Sequence, residues 1–407
     1  MRLPIKPKFL QLTLAGTALL AGFTLFHQST VNAAGPVEPA LSSYHVLAPI
    51  ESGNLLLFPV VRGTKMPPSP FVTLDEGMKS GEVEITEAGR VRGLVRPRPS
   101  DSPRDGVLRP HPGPPPYRGD QVNTLVLINN SDKPLLLLAG EIVTGGKQDR
   151  IIAKDRIVPA GGDPIDLGVF CIEPGRWTED TATFHASAKA STQSIMVQPM
   201  VREKAMVAKD QQEVWNSVHG SIAGALEAPA PASSGSAMNT PAPSNLGTTS
   251  YARAMQNSAV SAKVDEAAAP LTKSRDQILQ RLREEHAVGV VVAVRGEIVW
   301  ADLFSDTDLL ARYWTKLVRS YAAESLLEGD THAAPTTSDA QHFLDAPAGG
   351  TETSIGDVGI YRYRELRSTG AETFVLESLL PGTGYDVHIS KVKMRGELRR
   401  IKSPVVY

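Results

Sequence analysis

Between residues 122 and 173 the chain places four short apolar runs with turn chemistry between each and the next, and this spacing restricts the fold more than any other feature. The segment 122–129 reads as a strand. Asn130-Ser131-Asp132-Lys133 then supplies short polar side chains that hydrogen-bond their own backbone in turns. Leu135 to Ala139 reads as a buried strand. The segments 150–158 and 167–173 follow, separated by a turn at 159–164. Closely spaced strands with turn signals between them predict a sandwich or barrel-like sheet. An earlier run, Leu55-Leu56-Leu57-Phe58 within 53–61, is apolar without alternation and fits a strand covered on both faces.

Helical spacing takes over after Thr178. A short helix lead-in is read at 71–80, and helices at 201–218 and 271–285, the last with Ile278 and Leu282 on one face. His185 and His219 are assigned to helices. Val288 to Val294, a tight turn at Arg295-Gly296, and Glu297 to Leu303 form a hairpin. Ser305 then caps a helix with Asp308 at the capping-box position, and Leu310, Trp314, Leu317 and Tyr321 recur at steps of three and four as its buried stripe. Gly329 ends it. The chain closes with strands at 360–363, 374–376 and 385–389. Three stretches have little to bury: a Pro- and Arg-rich loop at 97–120, an Ala-, Pro- and Ser-rich linker at 223–250, and 331–351. The fold class is therefore α+β, a strand-rich N-terminal half (sandwich or barrel-like) followed by a helix and β-hairpin C-terminal half. The divisions are 1–33, 34–222, 223–250 and 251–407, with 34–407 alternatively one continuous domain.

Arg2, Lys6 and Lys8 precede an uncharged, mostly apolar stretch from Phe9 to Phe26, and Val31-Asn32-Ala33-Ala34-Gly35 offers a small-residue exit. That order is a secretory signal peptide over 1–33, so the protein is expected to be exported. The alternative is an uncleaved membrane anchor. Gln11, Thr13, Thr17 and Thr24 weaken it, because the stretch is already short of the roughly 20 apolar residues that span a bilayer. An exported chain with one cysteine, Cys171, has no internal disulfide and no multi-thiolate metal site. Its position among Val169, Phe170 and Ile172 reads as a buried small hydrophobe. The nine histidines show no metal-binding spacing, so no metal is expected. A formal net charge of -2 argues against general nucleic-acid binding.

Chemistry concentrates after the leucine strand. Glu141 follows it directly, then Gly145-Gly146-Lys147-Gln148-Asp149-Arg150. The two glycines permit positive φ and can aim backbone N–H groups at an anion. Glu141 so near a core strand needs a cationic partner, for which Lys147, Arg150 and Arg156 are candidates. The run is not a phosphate-binding P-loop: Glu141 stands where that motif needs glycine, and Gln148 where it needs Ser or Thr. No cofactor is expected. A second cluster, Glu173-Pro174-Gly175-Arg176-Trp177, offers a guanidinium for a phosphate or carboxylate and a ring for stacking.

Taken in order, Val122-Asn123-Thr124-Leu125, the segments 138–150 and 169–177, Glu213-Val214-Trp215, and Gly289 to Ala293 through Asp302-Leu303-Phe304 resemble the ARG and Rhodanese-Phosphatase-superfamily-associated protein domain. The resemblance runs from about Gly53 to the last strands. The family has no assigned activity. Its name implies company with ADP-ribose-processing and phosphatase-type proteins, and so a ligand related to phosphorylated ribose or nucleotides. Three functions stay open. One is an envelope ligand-binding or accessory module holding an anionic small molecule through Gly145, Gly146, Lys147, Gln148, Arg150, Arg176 and Trp177. Another is a hydrolase with Glu141 or Glu173 as general base. The third is a structural or protein-interaction module.

Overall fold

The structure is a computed structural model that describes residues 43–91, 95, 123–176, 180–186, 195–228, 247–272, 275–348 and 350–394, all within the compact unit Glu38–Tyr407. The proposed signal segment, the 97–120 loop, residues 229–246 of the linker and Trp177 lie outside the described residues.

The closely spaced strands do form a barrel-like sheet. Six strands run in the order β12 (Phe184–His185), β8 (Ile142–Gly145), β9 (Arg150–Ile152), β11 (Ile165–Cys171), β6 (Thr124–Asn129) and β5 (Val83–Glu87). A bridge between Thr86 and Thr183 links the last strand back to the first, so the barrel nearly closes. Residues on β11 alternate between buried and part-buried, and Ile165, Leu167 and Val169 enter a core shared with Val83, Ile85, Leu125, Leu127 and Val143. Three further strands, β10 (Arg156–Val158), β7 (Leu135–Leu137) and β4 (Val72–Thr73), form a small sheet. From β4 the chain enters α1 (Leu74–Ser80), whose capping box pairs Thr73 with Glu76.

A nine-stranded sheet forms the rest of the β structure. It contains β1 (Tyr44–Val46), β2 (Ile50–Ser52) and β3 (Leu55–Arg62), then β13 (Ala287–Val294), β14 (Glu297–Phe304), β15 (Thr351–Asp357), β16 (Tyr361–Arg367), β17 (Ala371–Ser378) and β18 (Asp386–Lys393). The unbroken apolar run of β3 has the expected cause. Leu55 and Leu57 face one core and Leu56, Phe58 and Val60 another, because successive side chains leave opposite faces of a strand. The hairpin β13–β14 turns through Arg295 (φ 51°) and Gly296 (φ 80°), both left-handed as a tight two-residue turn requires.

The helices are α2 (Pro199–Glu203), α3 (Gln211–Glu227), α4 (Tyr251–Gln256), α5 (Ser258–Thr272), α6 (Arg275–Glu284), α7 (Thr307–Ser325) and α8 (Thr337–Asp345). Several expectations are corrected. The helix expected at 201–218 is broken by a π-helical turn, Lys204–Ala208, that ends at left-handed Lys209. The one at 271–285 is α6 alone, preceded by α5. Asp306, not Ser305, caps α7, its carboxylate accepting from the Leu309 N–H, and the helix ends before Gly329. The stripe of Leu310, Trp314, Leu317 and Tyr321 is buried as its period demands. His185 lies on β12, not on a helix. The stretch 331–351, read as having nothing to bury, holds α8, which seats Ala340 and Leu344 in a core and is capped by Thr336 with Asp339.

Candidate functional site

The strand β8 delivers the glycine pair to one corner of the barrel. Gly145 (φ 121°) and Gly146 (φ 52°) have the positive φ the sequence implied. A Cβ on Gly145 would stand 2.3 Å from Thr181 Oγ1, and one on Gly146 2.2 Å from the Phe184 ring, so no larger residue fits. Three successive N–H groups turn inward there, and each meets an oxygen of the protein itself. Gly145 donates to Asp149 Oδ1 (3.1 Å), Gly146 to Thr181 Oγ1 (3.3 Å) and Lys147 to Glu87 Oε1 (2.8 Å).

Arg176 reaches the same corner. Its Nη1 donates to the Gly146 carbonyl (3.1 Å), while Nη2 lies 2.6 Å from Glu173 Oε2 and 3.5 Å from Asp149 Oδ1. The Gln148 amide donates to the Glu173 carbonyl (3.2 Å), the Asp149 N–H to Glu173 Oε2 (3.1 Å), and the Ser250 hydroxyl to Asp149 Oδ2 (2.6 Å). The two clusters read from the sequence therefore meet in space. Gln148, Asp149, Arg150 and Glu173 are buried, and the Arg176 side chain is 15% exposed. Burial, reinforced by Glu173, pushes the Asp149 carboxyl up. Burial lowers the Arg150 pKa. It also works against the charge on Arg176, but Glu173 outweighs it and the pKa rises. Cys171 is buried on β11 with its thiol pushed up by burial, and Gln211 clasps both its backbone groups (2.9 and 2.8 Å).

Glu141 belongs to a different centre. Its partner is none of Lys147, Arg150 or Arg156 but Lys316 of α7, with Nζ 2.6 Å from Oε1; Oε2 accepts the Leu138 N–H (2.7 Å). Lys316 also touches Asp75 (2.7 Å). Two carboxylates thus share one ammonium, and burial pushes the Glu141 carboxyl up. Glu141 is 0% exposed and shares none of these partners with Glu173.

A third centre was not assembled from the sequence. Asp302 on β14 takes a two-pronged pair from Arg202 of α2 (2.8 and 3.0 Å), the hydroxyl of Ser390 (2.9 Å) and that of Tyr321. His388 of β18 lies between two carboxylates, with Nδ1 2.6 Å from Asp155 and Nε2 3.3 Å from Asp302. Asp155 in turn accepts the Ala139 N–H (2.7 Å). Arg202 lies 4.4 Å over the Trp300 ring, and its stem packs where a Cβ on Gly140 would stand. Burial works against a charge on His388, but Asp155 and Asp302 outweigh it and raise its pKa to about 9. Burial likewise opposes the Asp302 charge, yet Arg202 and His388 hold that carboxyl well below its usual range. Asp302 is thus a pairing residue and caps no helix. The overlooked signal was a lone ionisable residue inside an apolar strand, as in Val387-His388-Ile389 and Ala301-Asp302-Leu303.

Among the described residues no group of three His, Cys, Asp or Glu is placed to hold a metal ion, and no helix is long and apolar enough to cross a membrane. No curated protein and no solved structure matches the chain. The model of the ARG and Rhodanese-Phosphatase-superfamily-associated Protein domain matches residues 43–392, nearly the whole described chain, and the protein belongs to that family.

Proposed function

We propose that the protein is an exported, non-catalytic accessory module that acts through protein contact. The observation that carries this reading is the filled anion nest: Asp149, Thr181 and Glu87 already occupy the N–H groups of Gly145, Gly146 and Lys147. A small anion would have to displace two carboxylates and a hydroxyl that the fold supplies at no entropic cost of binding. Hydrolysis needs a carboxylate able to take a proton from water. Glu141 is sealed against Lys316, and Glu173 is engaged by Arg176 and the Asp149 N–H. Export is supported by the basic, apolar and small-residue order of residues 1–33.

One observation favours the small-molecule reading instead. The buried Gln148 Oε1 has no hydrogen-bond partner among the described residues, and a ribose hydroxyl is a donor that suits it. A thermal-shift panel of ADP-ribose, nucleotides, nucleotide-sugars and sugar phosphates separates the two. The expected result is no selective rise in Tm. A rise with one compound that disappears in Gln148→Leu reverses the assignment, because a ligand that binds the native state stabilises it by mass action.

A further inference from the structure

Lys316 of α7 brings two carboxylates to one nitrogen. Its Nζ lies 2.6 Å from Glu141 Oε1 and 2.7 Å from Asp75 Oδ2. The lysine side chain is 3% exposed, that of Glu141 0% and that of Asp75 29%. Asp75 stands in the first turn of α1 and Glu141 directly before β8, so remote segments supply the group. The carboxylates are not equivalent. Both Glu141 oxygens are committed, Oε1 to Lys316 and Oε2 to the Leu138 N–H (2.7 Å). Asp75 Oδ1 has no hydrogen-bond partner among the described residues, so a proton can sit on it without facing a donor. An amine, a carboxyl and a second carboxylate, held in contact and shielded from water, are the reactants and the proton carrier of amide formation.

We propose that this trio is a self-modifying site, in which Lys316 Nζ and Asp75 Cγ join as an amide cross-link between α7 and α1, with Glu141 as proton carrier. The ion-paired trio is the precursor. One ammonium proton passes to Asp75, leaving a neutral amine and a neutral carboxyl, the forms that burial favours. The amine lone pair adds to Cγ. Glu141 takes a second proton from that nitrogen and gives it to the departing hydroxyl, which leaves as water. A C–N bond replaces a C–O bond, Glu141 ends as it began, and no oxidant or cofactor is consumed. Burial pushes the Glu141 carboxyl up, which suits it to accept a proton from nitrogen. Burial opposes the Lys316 charge, but Glu141 and Asp75 outweigh it and raise that pKa, so the proton is handed over within the trio and not to solvent. Asp75 is the acylated residue because its partial exposure gives the water a way out, whereas Glu141 is sealed. Such a bond forms inside the folded chain and is independent of what the module contacts.

Mass spectrometry of the full chain, denatured after incubation at neutral pH, supplies the test. The expected intact mass is lower by one water than that calculated from the sequence of the same chain. Trypsin should release a branched species joining residues 66–79 to residues 313–319, uncut after the acylated Lys316. Glu141→Gln, Asp75→Ala and Lys316→Arg are each expected to show the full mass and linear peptides alone. Lys316→Arg keeps a cation between the two carboxylates, and its circular dichroism checks that the fold persists without the bond. A wild-type chain of full mass that trypsin cuts after Lys316 overturns the proposal. So does a branch from Lys316 to Glu141 in place of Asp75, or a cross-link that forms undiminished in Glu141→Gln.

Discussion

The barrel corner around Arg176 and the centre around Asp302 use the same chemistry, carboxylates facing guanidinium groups, in different surroundings. At the corner, Arg176 keeps some exposure and draws on Glu173, three residues away, and on Asp149. At the Asp302 centre the ion-paired side chains are 0% exposed, and the partners come from α2, β14, β18 and the segment between β9 and β10. Water can replace a lost partner at the first site and not at the second. The corner is thus a partly exposed brace, whereas the Asp302 centre is sealed and tolerates no missing member.

The largest effect is expected at the hub. Asp302→Asn leaves Arg202 buried without its counter-charge and should cost about 3–5 kcal/mol in urea unfolding, the range for breaking a buried pair. A loss under about 1 kcal/mol would show that the two regions do not differ as described.

A slightly smaller effect should follow pH. His388 titrates at about 9 in the folded chain, above its ordinary 6.5. Its contribution is therefore fully present below about pH 6.5 and is lost as pH rises through about 9, amounting to a few kcal/mol. Unfolding free energy measured from pH 6 to 10 should fall along this window, and His388→Gln should flatten that fall.

Removing charge at the Glu141–Lys316 centre should cost less again. Glu141→Gln leaves Lys316 with Asp75, so a loss of about 2 kcal/mol is expected, between a hydrogen bond to a charged group and a broken pair. Adding Asp75→Asn should cost more than the sum of the two single changes, because Lys316 then has neither carboxylate.

The smallest effect belongs to the corner. Arg176→Ala should cost about 1–2 kcal/mol, since partial exposure lets water reach Glu173 and Asp149. If this change matched Asp302→Asn, the corner would be as closed as the hub and the contrast would fail.

Much of the fold was legible because local pattern and tertiary environment agree. The Arg295-Gly296 hairpin, the α7 stripe and the closely spaced strands of the barrel all satisfy short-range rules of period and turn. At the corner, positive φ at Gly145 and Gly146 and the meeting with Arg176 were legible for the same reason, since the segments belong to strands of one barrel. Illegible features depend on remote partners. The helix α8 was missed because only Ala340 and Leu344 of its short span are buried, with Phe343 packed beside them, in a core that distant strands create. The partner of Glu141 was misassigned because Lys316 lies 175 positions along the chain.

By itself the sequence determined most of the strands and helices, the main turns and which family the chain belongs to, because backbone preference and hydrophobic period act over a few residues. Only the tertiary structure decided which charges meet. Whether Asp155, Arg202, Asp302 and His388 form one buried network depends on the order in which strands pair, and an ion pair between remote residues leaves no periodic trace in the chain.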